Sequence, residues 1–193
     1  MADPDFIVTG EDAALGILRR DHLPAFASWF NDPEVRRGLA HRGVVNLEGE
    51  EKWFEAMTEA GAAARPETVA FAVHAADDGE LVGACSLEQI DHNFLRCDFG
   101  IFLGRRRGEG IGSDAVRLVL DWAFYMIGLR NVMLETYDFN EAAQRAYERA
   151  GFRVIGRRRD AVLALGRRCD VILMDATVDD FDSPGLAKPI PGE

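Results

Sequence analysis

Asp98-Phe-Gly-Ile-Phe-Leu-Gly-Arg-Arg-Arg-Gly-Glu-Gly-Ile-Gly-Ser113 carries more structural information than any other stretch of this chain. Its first part completes a run, Arg96 to Leu103, of strand composition. A basic, glycine-rich turn follows, and then Ile111, Ala115, Leu118, Trp122 and Met126 recur at helical spacing, which predicts an amphipathic helix from about Gly110 to Ile127, ended by Gly128. A strand that runs through such a turn into a helix start offers backbone N–H groups and a partial positive charge to an anion. Glycines at 108, 110 and 112 remove side chains where a ligand has to approach. The turn therefore reads as a phosphate cradle. A tight turn that needs glycine only for its geometry is the alternative. A bulky residue at Gly110 is expected to block the ligand and spare the fold, because the turn is exposed.

Two common phosphate signatures fail here. Ser113 stands where the third glycine of a dinucleotide fingerprint belongs, and no Gly-Lys-Ser/Thr follows to make a P-loop. Working outward, Leu15 to Arg19 reads as a first strand and Pro24 to Phe30 as a short helix with Asp21 as N-cap. A second helix spans about Glu48 to Ala60. Thr68 to His74 and Leu81 to Ile90 form a hairpin around Asp78-Gly79. Beyond the long helix come a strand over Val132 to Tyr137 and a helix over Asn140 to Ala150, with Asn140 as N-cap and Gly151 at the C-terminal stop. Strands at Phe152 to Arg158 and Arg168 to Ala176 close the order. The pattern is that of an α/β (α+β) sheet with a parallel, right-handed central crossover.

The 193 residues make one domain, and 48% hydrophobic content gives it a sizeable core. Residues 1–14 read as an acidic tail, 15–178 as the domain, and 179–193 as a flexible acidic, proline-containing tail. With 22 basic and 33 acidic groups the net charge is −11, which argues against a nucleic-acid partner and suits a cationic one. No apolar run is long enough to cross a membrane, and the acidic start is unlike a secretory signal, so the expected compartment is the cytoplasm. Cys85, Cys97 and Cys169, with His22, His41, His74 and His92, show no metal spacing, so no metal is expected. Arg105 to Arg107 and Arg157 to Arg159 leave room for a local anion site.

Arg105-x-x-Gly108-x-Gly110 resembles the acetyl-CoA motif of the GNAT superfamily of N-acetyltransferases. The resemblance extends to Asn140-x-x-Ala143-x-x-x-Tyr147-x-x-x-Gly151-Phe152, about thirty residues on. Trp29-x-Asn31-Asp32-Pro33-Glu34-Val35, Leu81-Val82-Gly83 and Gly156-x-x-Arg159 are similar to the branch of ribosomal-protein N-terminal acetyltransferases. The resemblance covers about residues 15–178. It implies a mixed, mostly antiparallel sheet of about six to seven strands with a parallel, splayed centre, flanked by about four helices.

It further implies acetyl-CoA as co-substrate and transfer to a primary amine: a protein or peptide N-terminus, a polyamine or another small amine. A non-catalytic acyl-CoA-binding or regulatory module on the same fold is the alternative. Coenzyme contacts are implied for Ile101, Phe102, Leu103, Arg105, Arg107, Gly108, Gly110, Ile111, Gly112, Ser113, Asn140 and Tyr147. Tyr147 is the implied general acid beside the sulfur. Amide formation also needs a group that takes a proton from the ammonium. Glu135, Glu88 or a water chain are the candidates. Trp29, Asp32, Glu34 and Glu88 are the implied acceptor wall, with Trp53 nearby. A homodimer is common in proteins of this resemblance.

Overall fold

Among the described residues, eight strands form one sheet: β1 (Phe6–Thr9), β2 (Ala13–Ile17), β3 (Val69–Ala75), β4 (Leu81–Asp91), β5 (Arg96–Leu103), β6 (Asn131–Tyr137), β7 (Arg153–Ala164) and β8 (Arg167–Thr177), in the order β1-β2-β3-β4-β5-β6-β8-β7. This is a computed structural model, and it describes residues 5–39, 43–164 and 166–186. All neighbouring pairs are antiparallel except β5 and β6, which are parallel. The sheet has one strand more than expected. The addition is β1, four residues in a segment read as tail, too short to show a period; it pairs with Ala14 to Gly16 of β2.

Among the described residues, five α-helices accompany the sheet: α1 (Leu23–Asn31), α2 (Pro33–Arg36), α3 (Leu47–Gly61), α4 (Ile111–Asp121) and α5 (Glu141–Ala150). The unexpected α2 is a single turn. Pro33 opens it, and the Asp32 carboxylate caps it by accepting the Glu34 N–H at 2.8 Å. Asp21 does not cap α1, whose N-cap is His22 without a side-chain bond. Its carboxylate is instead drawn to Arg19, 2.6 Å away. The helix expected through Ile127 is α-helical only to Asp121 and continues as a π-turn, Trp122–Ile127, before Gly128 stops it in the left-handed region.

Part of the C-terminal segment read as tail is docked. Phe181 is buried against Phe124, and the fully buried Asp121 carboxylate accepts the Ser183 hydroxyl and the N–H groups of Gly185 and Leu186. An unpaired carboxylate at that depth would be costly, so these bonds hold the segment in place.

The two faces of the sheet bury different cores. On one, α4 and α5 cover Leu15, Phe71, Leu87, Phe99, Val132, Leu134 and Met174. On the other, α1 and α3 bring Phe26, Trp29 and Trp53 onto Ala84 and Phe102. Strand alternation sends Cys85 and Leu87 to the first core and Ala84 to the second.

The sheet opens at its centre. β5 and β6 pair only at Arg96↔Asn131, Cys97↔Val132 and Asp98↔Met133, and then separate. Gly104 N–H bonds Val82 C=O at 2.8 Å, which fixes 82/104 as a hydrogen-bonded pair of the antiparallel ladder. With period two, Phe99, Ile101 and Leu103 therefore turn their N–H and C=O groups away from β4 and into the gap.

Candidate active site

The glycine turn lies where β5 ends at the gap. Gly108 and Gly110 have φ of +88° and +90°, values that disfavour any side chain. The two differ in surroundings. A Cβ on Gly108 would meet open space, whereas one on Gly110 would lie 2.3 Å from an Asp12 carboxylate oxygen. Gly110 is thus not a position where substitution would spare the fold. Among the described residues, the N–H groups of Gly108, Gly110, Ile111 and Gly112 find no acceptor, so the turn and the start of α4 present donors together. Asp114 anchors this corner by accepting the N–H groups of Asp12 and Ala13 at 2.8 and 2.9 Å.

Beside the turn lies a cavity of about 720 Å³. Ile101, Phe102 and Leu103 form its floor, Gly108, Gly110, Gly112 and Ser113 one end, and α5, from Asn140 to Arg149, a wall. The opposite wall is α2 and its continuation: Glu34, Val35, Arg37, Gly38 and Leu39. Four arginines reach this space in a chain of net charge −11: Arg37, Arg107, Arg145 and Arg149. Arg149 donates to the Ser113 hydroxyl at 3.1 Å and so ties α5 to the first turn of α4. Arg37, Arg145 and Arg149 escaped the sequence reading. The spacing of Arg145 and Arg149 at i, i+4, flanking Tyr147, was the available signal.

The arginine triplet has three separate fates. Arg105 leaves the cavity and pairs with Glu80 at 3.0 Å. Arg106 bonds both oxygens of Asp77 and also Glu109, tying the turn to the β3–β4 hairpin and holding the Asp77 carboxyl down at about 2. Arg107 lines the cavity, donating to Leu103 C=O at 2.9 Å and Glu34 C=O at 3.2 Å. In the second triplet, Arg157 pairs with Asp170 and Arg158 with Glu135.

Asn140 and Tyr147 enter from α5. Asn140 caps the helix through Ala143 N–H, while its amide nitrogen faces Gly38, where a Cβ would approach to 3.1 Å. Tyr147 lines the cavity with its ring packed near Phe152, and burial pushes its hydroxyl up to about 12. It is therefore a protonated phenol throughout the neutral range.

The carboxylates lie on the other face. Register places Glu88 opposite Asp98, and alternation puts Glu135 on the same side as Met133, the β6 partner of Asp98. All three share the face that bears Phe102. Glu88 accepts the Ser86 hydroxyl at 2.7 Å, and Glu135 lies 3.5 Å from Arg158. Asp98, unremarked in the sequence, accepts from Gln89 at 2.9 Å. Burial, together with the charges of Glu135 and Glu88, raises its carboxyl above the ordinary range. It stands at the last paired position before the gap opens.

Several expected site residues lie outside the cavity. Besides Arg105, they are Ile111, which is buried in the α4 core, and Glu88 and Glu135, which line the sheet face instead. Trp29 packs so closely on Gly104 that a Cβ there would lie 1.9 Å from its ring, and Asp32 is taken up by capping α2; only Glu34 of the expected acceptor wall lines the cavity. His22 and His74 pack ring against ring at 5.7 Å, and His92 contacts Pro66 C=O. His41 lies outside the described residues.

Comparison with known proteins agrees with this architecture. Residues 15–153 match the model of an acetyltransferase (GNAT) domain. "Probable N-acetyltransferase YjcK" of Bacillus subtilis (strain 168) is 37% identical over 90 residues, 46% of this chain and 50% of that protein, so the similarity spans half of that relative's length. A spermidine N-acetyltransferase from Vibrio cholerae, solved with CoA and spermine, superposes with a TM-score of 0.79 at 20% identity, covering 89% of this chain and 98% of that one. RimL, a ribosomal L7/L12 α-N-protein acetyltransferase solved with coenzyme A, gives 0.79 at 17% identity, covering 91% and 99%. The chain belongs to the GNAT acetyltransferase family.

Proposed function

From membership of the GNAT acetyltransferase family, we propose that this protein is an acetyl-CoA-dependent N-acetyltransferase acting on a cationic primary amine. The observation that carries the reading is a single cavity that joins the glycine turn, the opened edge of β5 and Tyr147. The residues fit such a coenzyme. Unpartnered N–H groups at Gly108 to Gly112 and cations at Arg37, Arg145 and Arg149 suit its phosphates, and the gap beside Ile101 suits an extended amide-bearing arm. The coenzyme supplies an acetyl thioester.

The chain's own groups then divide the proton work. Tyr147, kept protonated by burial, holds the proton for the departing thiolate from the α5 side. Asp98, Glu88 and Glu135 face the opposite side of the gap and attract an ammonium. Either glutamate, or a water chain, takes its proton; Asp98 joins them, because a carboxyl with a raised value is a better proton acceptor. A cationic acceptor follows from this row of acids. Relatives named for spermidine and for a ribosomal protein fit the same class. The proposal places the protein in the cytoplasm as a homodimer.

The test is an acetyl-CoA assay across polyamines, peptides and amino sugars, reading released thiol. Turnover with a cationic amine supports the proposal. Coenzyme binding without thiol release for any amine would favour a non-catalytic acyl-CoA-binding module.

A further inference from the structure

β4 and β5 run in register through Glu88↔Asp98 and meet again at Asp91↔Arg96, so Gln89 and Ile90 of β4 stand against Cys97 alone. This is a β-bulge, two residues against one. It sits beside Asp98, at the last paired position before the sheet opens between β5 and β6. Ile90 takes the core position that plain alternation would give to Gln89, and its N–H leaves the ladder for Glu67 C=O at 3.0 Å. Gln89 is left exposed on the side of Asp98, where its amide donates to Oδ2 of that carboxylate at 2.9 Å.

The backbone there is strained. Gln89 has a φ of +52°, in the left-handed region that favours glycine, and its long side chain does nothing to relieve this. What glycine could not supply is the amide. Among the described residues it is the sole hydrogen-bond partner of the Asp98 carboxylate, so Oδ1 remains for an incoming N–H. The charged groups that act on Asp98 are Glu88 from β4, Glu135 from β6 and Arg96 of its own strand. Further out, Arg158 of β7 pairs with Glu135, and Asp175 of β8 accepts from Asn131. Against two acids, a donated N–H favours the ionised form of Asp98, the form able to take a proton.

We propose that Gln89 is a positioning residue: the bulge aims its amide at Asp98, fixing one carboxylate oxygen and leaving the other to meet the acceptor amine where the gap opens. The kinetic consequence rests on the acetyltransferase reading.

The experiment uses the full chain and the variants Gln89→Gly and Gln89→Glu. Glycine relaxes the backbone and deletes the donor, so Tm should hold or rise while kcat/KM for the best amine falls about five- to tenfold in mild acid. The acid limb of the kcat/KM profile should move to higher pH, and further in Gln89→Glu, where another carboxylate replaces the donor. Coenzyme A affinity by calorimetry should stay within about twofold of the parent in both. An unmoved acid limb with unchanged kcat/KM in Gln89→Gly would overturn the proposal. So would a loss of activity that tracks a lower Tm and weaker coenzyme binding, because the bulge would then be purely structural. Should the parent release thiol with no amine, the acetyltransferase reading fails. NMR titration of the Asp98 carboxyl still decides the contact: a higher midpoint in Gln89→Gly supports it, and an unchanged one overturns it.

Discussion

The two walls of the cavity are built in opposite ways. The α4–α5 wall is local: a glycine turn runs straight into α4, and one helical face carries Asn140, Ala143 and Tyr147. The α2 wall is a composite of distant pieces, held by the Asp32 cap, by Arg107 reaching from the turn, and by Trp29 packed on Gly104. In the proposed acetyltransferase the chemistry on the coenzyme falls to the locally encoded wall. The α2 wall is assembled from long-range contacts that a few substitutions can move.

The largest expected effect strikes the first wall. Tyr147→Phe keeps the ring packing near Phe152 and removes only the proton, so kcat should fall about 10²-fold with coenzyme affinity unchanged. Steady-state turnover with the best acceptor, under conditions where chemistry limits, checks this. Unaltered kcat would make the two walls equally passive.

Acid should next separate the walls by stability. His22 and His74 sit beneath α1, and burial holds His22 down to about 4 and lowers His74 as well; α4 and α5 contain no histidine. Between about 6.5 and 4 the unfolded chain binds protons that the folded one excludes, so stability is present above the ordinary histidine value and is lost as pH falls through this window. From His22 alone the loss by pH 5 is about 2 kcal/mol. Urea unfolding at pH 7 and pH 5 measures it, and a midpoint that does not fall would refute it.

Gly108→Val should weaken acetyl-CoA binding by about tenfold or more and lower Tm by several degrees, because the turn there faces open space but a branched side chain at a φ of +88° costs about 1–3 kcal/mol. Gly110→Val is the informative contrast: its Cβ would also run into Asp12, so folding should suffer more. Calorimetry paired with thermal unfolding on both variants distinguishes the ligand cradle from a purely structural turn.

The smallest effect concerns the acceptor. If Glu88, Asp98 and Glu135 draw a cation, its KM should rise a few-fold between low and moderate salt, as screening shortens to ~10 Å at 0.1 M. Glu88→Gln combined with Glu135→Gln should flatten that rise. Asp32 is unsuitable for this purpose, since its carboxylate is engaged in capping α2. A neutral best acceptor with salt-independent kinetics would remove the charge argument.

What could be read from the sequence follows the same division. The glycine turn, the cap at Asn140, the stop at Gly151 and the β5–helix–β6 crossover are patterns within a few dozen residues, and periodicity exposes them. The strand β1 hides because Phe6 to Thr9 is extended only by pairing with β2. Asp121 looks like a solvated helix residue until the C-terminal segment folds back onto it. Arg105 opens Arg105-x-x-Gly108-x-Gly110 and yet turns outward to Glu80, Arg107 stands at the same spacing from Gly110 and Gly112 and lines the cavity, and Arg149 matches nothing and reaches Ser113. Asp98 gains its character only from Glu88 and Glu135, which other strands deliver. Pairing partners distant in the chain decide each of these, and spacing along one segment does not encode them.

The most direct test of the account is the crystal structure of the protein with coenzyme A. The account predicts the pyrophosphate over the N–H groups of Gly108 to Gly112, the extended arm in the gap where β5 leaves β6, and the sulfur within hydrogen-bond reach of the Tyr147 hydroxyl. A coenzyme bound elsewhere, or a sulfur far from Tyr147 with the gap closed, would contradict it.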